Sequence, residues 1–350
     1  MMSISKRLFG KVEKQEIYEY VFKNDNGVEI SCLNYGCIIT KIIIPDRKGN
    51  YENIVIGFQD LADYQRSSLF AGAAVGRVAG RIRDAQFVLE GKKHILPQND
   101  GPNNLHSGPK GFHNAIWDAV VIDKVQEDTI KFSHTSLDEI EGYPGVLTTQ
   151  ITYTLNNKNE FIIHYRGQSD KTTLFNPTNH TYFNLSGNCK HDISQHSLKI
   201  NSSRFLELTQ QLLPTGKLLD VTDTVFDFRN SRKIMEGINS DHPQNTIAGQ
   251  GYDHPFILDS NHDSEIVLQD EESGRILTIE TDAVGVVLYT GNYIPNDFDI
   301  YGVKSRRYLG LCLETQGLPD AIHHSDFPPC ILQKDQISTT TTKYTFNVAL

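Results

Sequence analysis

Residues 16–33 read EIYEYVFKNDNGVEISCL. Two β-prone runs, 16–23 and 28–33, flank Asn24-Asp25-Asn26-Gly27. A glycine after Asx residues supplies the positive φ of a tight turn, so the stretch predicts a hairpin. Further along, the β-branched run 37–44 stops at Pro45-Asp46. Turn signals recur at Lys48-Gly49-Asn50, Glu90-Gly91-Lys92, Asp100-Gly101, Asn156-Asn157, Ser186-Gly187-Asn188 and Ser273-Gly274. Short segments such as 161–165, 198–200 and 284–289 lie between them. Short strands punctuated this way predict an all-β sandwich or barrel. Residues 60–67 and 231–239 have room for two helical turns at most. Strands and helices do not alternate, which argues against a doubly wound fold. With no linker, composition shift or repeat, residues 1–350 are expected to form one continuous β domain.

The chain has 33 Lys and Arg against 43 Asp and Glu, a net charge of -10. That field repels a phosphate backbone, and no basic run offsets it, so no nucleic-acid partner is expected. No apolar stretch is long enough to span a bilayer, so no membrane partner is expected either. Residues 1–11 are basic but lack the apolar run of a secretory signal. The cysteines at 32, 37, 189, 312 and 330 are odd in number, scattered and free of CxxC spacing. They read as reduced thiols of a cytoplasmic protein.

No metal or cofactor is expected. The glycines of 72–80 match neither GxGxxG nor a P-loop, and no GxSxG occurs. His94, His191 and the His323-His324 pair lack metal-ligand spacing and read as surface or loop histidines. No motif specifies an oligomeric state.

Four segments look unlike scaffold. Residues 103–112, NNLHSGPKGF, form a Gly/Pro-rich loop presenting His106. Stiff neighbours suit a ligand contact, although a solvated loop histidine fits as well. Residues 176–185, NPTNHTYFNL, would as a strand put His180, Tyr182 and Asn184 on one face. Such a face suits sugar hydroxyls and proton transfer, and an outer polar sheet face is the alternative. Residues 249–255, GQGYDHP, hold Asp253 in a tight loop. Its carboxylate could accept ligand hydroxyls or bond its own backbone. In residues 308–320, YLGLCLETQGLPD, Glu314 ends an apolar strand. Alternation sends Leu311 and Leu313 to the core and Cys312, Glu314 and Gln316 to the other face. Apolar surroundings should raise the Glu314 pKa towards the range of a general base, unless the residue faces solvent. With Arg81, from Gly76-Arg77-Val78-Ala79-Gly80-Arg81-Ile82, this set suits proton transfer on a neutral polyol.

At these residues the chain resembles the aldose 1-epimerase family, the galactose mutarotases. The resemblance spans nearly the whole sequence. It runs from Asn34-Tyr35-Gly36 through 76–82, 103–112 and 176–185. It continues through Leu213-Pro214-Thr215-Gly216, Tyr252-Asp253-His254, Tyr289-Thr290-Gly291-Asn292 and Glu314-Thr315-Gln316 to Phe327-Pro328. The resemblance implies a large β-supersandwich of mainly antiparallel strands. It implies that Glu314 is the general base, His180 the general acid and His106 a supporting histidine that also binds substrate. Arg81 and Asp253 fall at sugar-binding positions, and Tyr182 is expected to line the cleft. Gly80 and Val287 depart from the family, standing where an asparagine and a glutamine are common; Pro177 and His323 are also atypical. Losing two amides would change which hydroxyls are read, so the preferred aldose stays open.

The implied activity interconverts the α and β anomers of a free aldohexose such as galactose or glucose, a small-molecule substrate. Glu314 takes the C1 hydroxyl proton while a protonated His180 gives one to the ring oxygen. Ordinary pKa values near ~4.3 and ~6.5 would leave a window in which both groups are charged. Three rivals remain open. A sugar-phosphate 1-epimerase would use Arg77, Arg81 and Arg83 if these share a strand face. A glycoside hydrolase would pair Glu314 with Asp253. A non-catalytic carbohydrate-binding protein would not need the acid/base pair.

Overall fold

The computed structural model describes residues 3–123 and 127–349. Three antiparallel sheets dominate it. The hairpin read at residues 16–33 is present as Gln15–Lys23 and Glu29–Leu33, with Gly27 at φ 82° in the turn. These strands belong to a five-stranded sheet that also holds Ser3–Val12, Ile39–Pro45 and Tyr51–Asn53. The nine-stranded sheet runs from Asp118–Asp123 through three meander strands to Ile337–Val348, then Arg275–Thr281, Ile266–Gln269, Ser197–Ile200 and Arg232–Lys233. The six-stranded sheet has the order Tyr182–Phe183, Leu311–Gln316, Gly285–Tyr289, Asp253–Ile257, Arg204–Leu208 and Pro214–Asp220. The fold is the expected antiparallel β-supersandwich.

Helix is confined to short pieces. Residues 60–67 supply Leu61–Arg66, whereas 231–239 split into the strand Arg232–Lys233 and the single turn Met235–Ile238. The helix Pro243–Ile247 was not expected. It is too short to show a helical period, and it rests on Pro243 in the first turn and a cap from His242. Among the described residues no helix is long and apolar enough to cross a membrane.

One apolar cluster joins the three sheets. Phe22 and Ile42 enter it from the five-stranded sheet, Ile151, Phe161 and Tyr344 from the nine-stranded one, and Leu288, Leu311 and Leu313 from the six-stranded one. Burial of this many large side chains supplies the main driving force for folding. Strand alternation then decides what the other face of the six-stranded sheet carries. Leu311 and Leu313 point into the core, which leaves Cys312, Glu314 and Gln316 for the opposite face. Glu314 lies inside the strand rather than at its end, since pairing continues to Gln316.

The glycine-rich segment 72–80 serves packing. A Cβ at Gly76 would lie 2.2 Å from the Phe112 ring, so only glycine fits there. All five cysteines are free thiols.

Candidate active site

Arg81, His106, His180, Tyr182, Asp253 and Glu314 line a single cavity of about 190 Å³. They come from five pieces of chain, with His180 and Tyr182 sharing one. The Gly285–Tyr289, Leu311–Gln316 and Asp253–Ile257 strands form its floor and bring in Glu314 and Asp253. Two short paired strands, Arg81–Ile82 and Asn104–Leu105, fix Arg81 and set His106 beside it. The bridge Thr178–Asn179 with Ala74–Val75 holds the chain just before His180.

His180 Nε2 lies 3.4 Å from Glu314 Oε1, and the two side chains are 7% and 5% exposed. On its other side, His180 Nδ1 is 3.4 Å from the Cys312 Sγ. His106 stands edge-on to His180, with ring centroids 5.4 Å apart. The Gly80 N–H donates to His106 Nδ1 at 3.2 Å. That bond leaves the neutral ring's proton on Nε2, which makes His106 a hydrogen-bond donor. The Tyr182 ring packs against His180 at 5.1 Å. Arg81 bonds Asp100 through Nε at 2.7 Å, and its Nη1 is 4.0 Å from the Asp253 Oδ2.

Burial sets the electrostatics. It lowers His180 to about 4, with His113 nearby adding to the effect. It holds His106 well below the ordinary histidine value, with His180 and Arg81 reinforcing it. It pushes Glu314 well above the usual carboxylate range; Asp253 adds to this and Arg81 opposes it. Asp253 is raised too, by burial first, against the pull of Arg81. The raised Glu314 agrees with the apolar setting of its strand. The expectation that Glu314 and His180 are both charged in the free site is corrected. Removing two charges from water costs more than one contact at 3.4 Å returns, so the neutral pair is favoured. The proton count is unchanged: a neutral carboxyl with a neutral imidazole holds the same single proton as the charged pair.

Three further expectations change. Asn184 does not join His180 and Tyr182, because the strand breaks at His180-Thr181. Its amide donates instead to the carbonyls of His191 and Leu309. Arg77 does not share a face with Arg81. It is 2% exposed and donates to the carbonyls of Ser136, Leu137, Pro144 and Gly145. Arg83 pairs with Asp320. Only Arg81 of the three lines the cavity. His94 is buried and stacks on Phe87 at 4.9 Å, so it is no surface histidine.

Sequence reasoning passed over two contributors. Phe70, at φ 53°, packs edge-on against His106 at 4.8 Å and lies 5.9 Å from the His180 ring. Asp100 was visible only as part of a turn signal, yet it anchors Arg81. Among the described residues, two His/carboxylate groups lie close enough to surround an ion: His106, His180 and Glu314; and His191, His196 and Asp270. Their donor chemistry does not suit a cation. His196 Nε2 accepts the Leu185 N–H at 2.8 Å, as His106 Nδ1 accepts that of Gly80. In each ring the remaining nitrogen therefore carries the proton rather than a free lone pair.

The profile of the aldose 1-epimerase family matches residues 18–345. The chain is 35% identical to galactose mutarotase of Rattus norvegicus over 100% of both sequences. It is also 35% identical to maltose epimerase of Levilactobacillus brevis over 99% of both. Among solved structures it superposes on galactose 1-epimerase from Lactobacillus acidophilus with a TM-score of 0.90, at 29% identity and covering 100% of each chain.

Proposed function

Because the chain belongs to the aldose 1-epimerase family and is an isomerase with that 1-epimerase activity, we propose that its substrates are free aldohexoses such as galactose and glucose, with Glu314 and His180 as the acid/base pair. The observation that carries this reading is the 3.4 Å contact between the two groups, both largely buried in the wall of the cavity. The hydroxyl and ring oxygens of a hemiacetal hang on one carbon, so neighbouring acid and base groups can serve both.

Sugar hydroxyls entering the site, together with Arg81, solvate the Glu314 carboxylate. The dyad's proton then passes to His180 with no exchange with solvent. Glu314 takes the proton of the C1 hydroxyl as His180 Nε2 gives its proton to the ring oxygen. The bond from C1 to the ring oxygen breaks and an open-chain aldehyde forms. Rotation about the C1–C2 bond presents the other carbonyl face to the C5 hydroxyl. Closure reverses both transfers and returns the proton to the dyad. Each group is expected to contribute roughly 10²–10⁴-fold. His106 donates from Nε2, Arg81 donates and Asp253 accepts, which fixes the ring, while Tyr182 walls the cleft.

Residues 1–350 act as one unit in this reading, supported by the core cluster shared among the three sheets. We place the protein in the cytoplasm, in keeping with five unpaired cysteines. The sugar-phosphate alternative loses its support because Arg77 and Arg83 are engaged elsewhere. The relatives named for galactose and maltose also point to sugars with a free anomeric carbon. Polarimetry on freshly dissolved α-galactose, α-glucose and α-glucose 6-phosphate tests the assignment. Acceleration on the free sugars is expected; acceleration confined to the phosphate ester would overturn it.

A further inference from the structure

Cys312 stands two residues before Glu314 on the same face of the strand Leu311–Gln316 and takes no part in the proton transfers described so far. It is fully buried, and burial holds its thiol well above the ordinary cysteine value, so it stays un-ionised. Its Sγ lies 3.4 Å from His180 Nδ1, whereas the ring's Nε2 faces Glu314. The Tyr182 hydroxyl bonds the thiol as well. Phe70, His106, Tyr182 and Tyr289 pack their rings around the imidazole. Of these, the Tyr289 hydroxyl is engaged with the Tyr293 N–H at 3.0 Å. Nδ1 also bonds the carbonyl of its own residue, an oxygen that accepts the Gly72 N–H at 3.0 Å too. A carbonyl oxygen only accepts, so the nitrogen bonded to it carries the proton. The contact with Cys312 then runs from the ring N–H to the sulfur. A neutral imidazole has a single N–H, so Nε2 shows Glu314 a lone pair. That is the tautomer the dyad needs, because a neutral carboxyl can pass its proton only to a nitrogen with a free pair.

We propose that Cys312 is a positioning residue: its sulfur accepts a hydrogen bond from His180 Nδ1–H and holds the ring in the tautomer that receives the Glu314 proton at Nε2. The assignment rests on the acid/base reading above. When His180 takes that proton the ring becomes a cation, with hydrogen on both nitrogens. A hydrogen bond from a charged donor is stronger than one from a neutral donor. The sulfur therefore supports the ring most while His180 is the acid for the sugar's ring oxygen. The Nδ1 proton stays in place, and every transfer runs through Nε2.

The test compares wild type, Cys312→Ala and Cys312→Ser, whose side chains differ only in carrying sulfur, nothing or oxygen on Cβ. Polarimetry on α-galactose, corrected for the spontaneous rate, gives kcat and KM. Cys312→Ala is expected to lose about fivefold or more in kcat, the scale of one hydrogen bond, with KM unchanged. Cys312→Ser, whose hydroxyl oxygen can accept, should regain most of that loss. Nitrogen NMR of the isotope-labelled chain, with His180→Asn to identify the signals, reads which ring nitrogen carries the proton. In free wild type it should be Nδ1, and in Cys312→Ala part of the population should shift to Nε2. A wild-type proton on Nε2 would overturn the role of Cys312, even if neither variant folds. So would an unchanged kcat in Cys312→Ala, a loss that falls on KM instead, or a lower kcat with the Nδ1 tautomer intact, which marks packing alone. A wild-type chain inactive on free sugars would overturn the epimerase reading itself, and this assignment with it.

Discussion

His180 Nε2 and Glu314 Oε1 face each other at 3.4 Å, with side chains 7% and 5% exposed. Burial drives their pKa values in opposite directions, histidine down to about 4 and carboxyl well up. The ordinary order of the two groups is thereby inverted. Between the two titrations the pair holds one proton, which is the number the reaction needs.

The pH dependence of kcat/KM follows from that inversion. Adding a second proton titrates His180, so the acid limb should lie near 4 rather than near the ordinary ~6.5. Removing the only proton titrates Glu314, so the alkaline limb should lie well above the ordinary carboxylate range. Both apparent values belong to the pair. An acid limb at ~6.5 would show His180 titrating like an exposed imidazole.

Arg81 opposes the rise in the Glu314 pKa. Arg81→Ala is therefore expected to move the alkaline limb to higher pH. It should also raise KM by about tenfold or more, the scale of a lost charge-assisted hydrogen bond. Arg81→Lys should keep the position of the limb while losing part of the binding. Steady-state kinetics across pH would check both effects.

Stability should fall on mild acidification. His106, His113, His180, His196 and His254 are all held below their ordinary value by burial. Between about pH 4 and ~6.5 the unfolded chain binds more protons at these groups, so stability rises with pH there. Each is expected to contribute about 1–2 kcal/mol between pH 6.5 and 5. Glu314 and Asp253, both raised, act in the opposite sense, since their stability is lost as pH rises through their folded values. Urea midpoints at pH 7 and 5 would show the net drop; an unchanged midpoint would contradict it.

Arg77 is scaffold, and its loss should register in stability rather than selectivity. Arg77→Met would strip three buried carbonyls and one part-buried carbonyl of their donor. A cost of about 3 kcal/mol or more is expected from urea denaturation, with no change in the ratio of rates on glucose and glucose 6-phosphate. An altered ratio would place Arg77 at the substrate after all.

The strands were legible because turn residues punctuate β-branched runs, as around Gly27 and at Pro45-Asp46. Glu314 was legible because Leu311 and Leu313 precede it at strand spacing. Asn184 was misread because alternation assumes an unbroken strand, and the break at His180-Thr181 leaves no mark in residue type. The fates of Arg77 and Asp100 depend on partners distant in sequence, namely the carbonyls of residues 136–145 and the side chain of Arg81. The inverted proton affinities were half visible. Apolar neighbours announced the raised carboxyl, but the burial of His180 depends on Phe70, Tyr182 and Tyr289 packing around it.

The most direct measurement is the turnover of Glu314→Gln on α-galactose, alongside sugar binding by calorimetry. The amide keeps the shape but can neither take nor hold the dyad's proton. A rate lowered at least about 10³-fold with binding retained is the predicted result. Turnover within tenfold of wild type would contradict the account, because proton transfer would then not pass through this carboxyl.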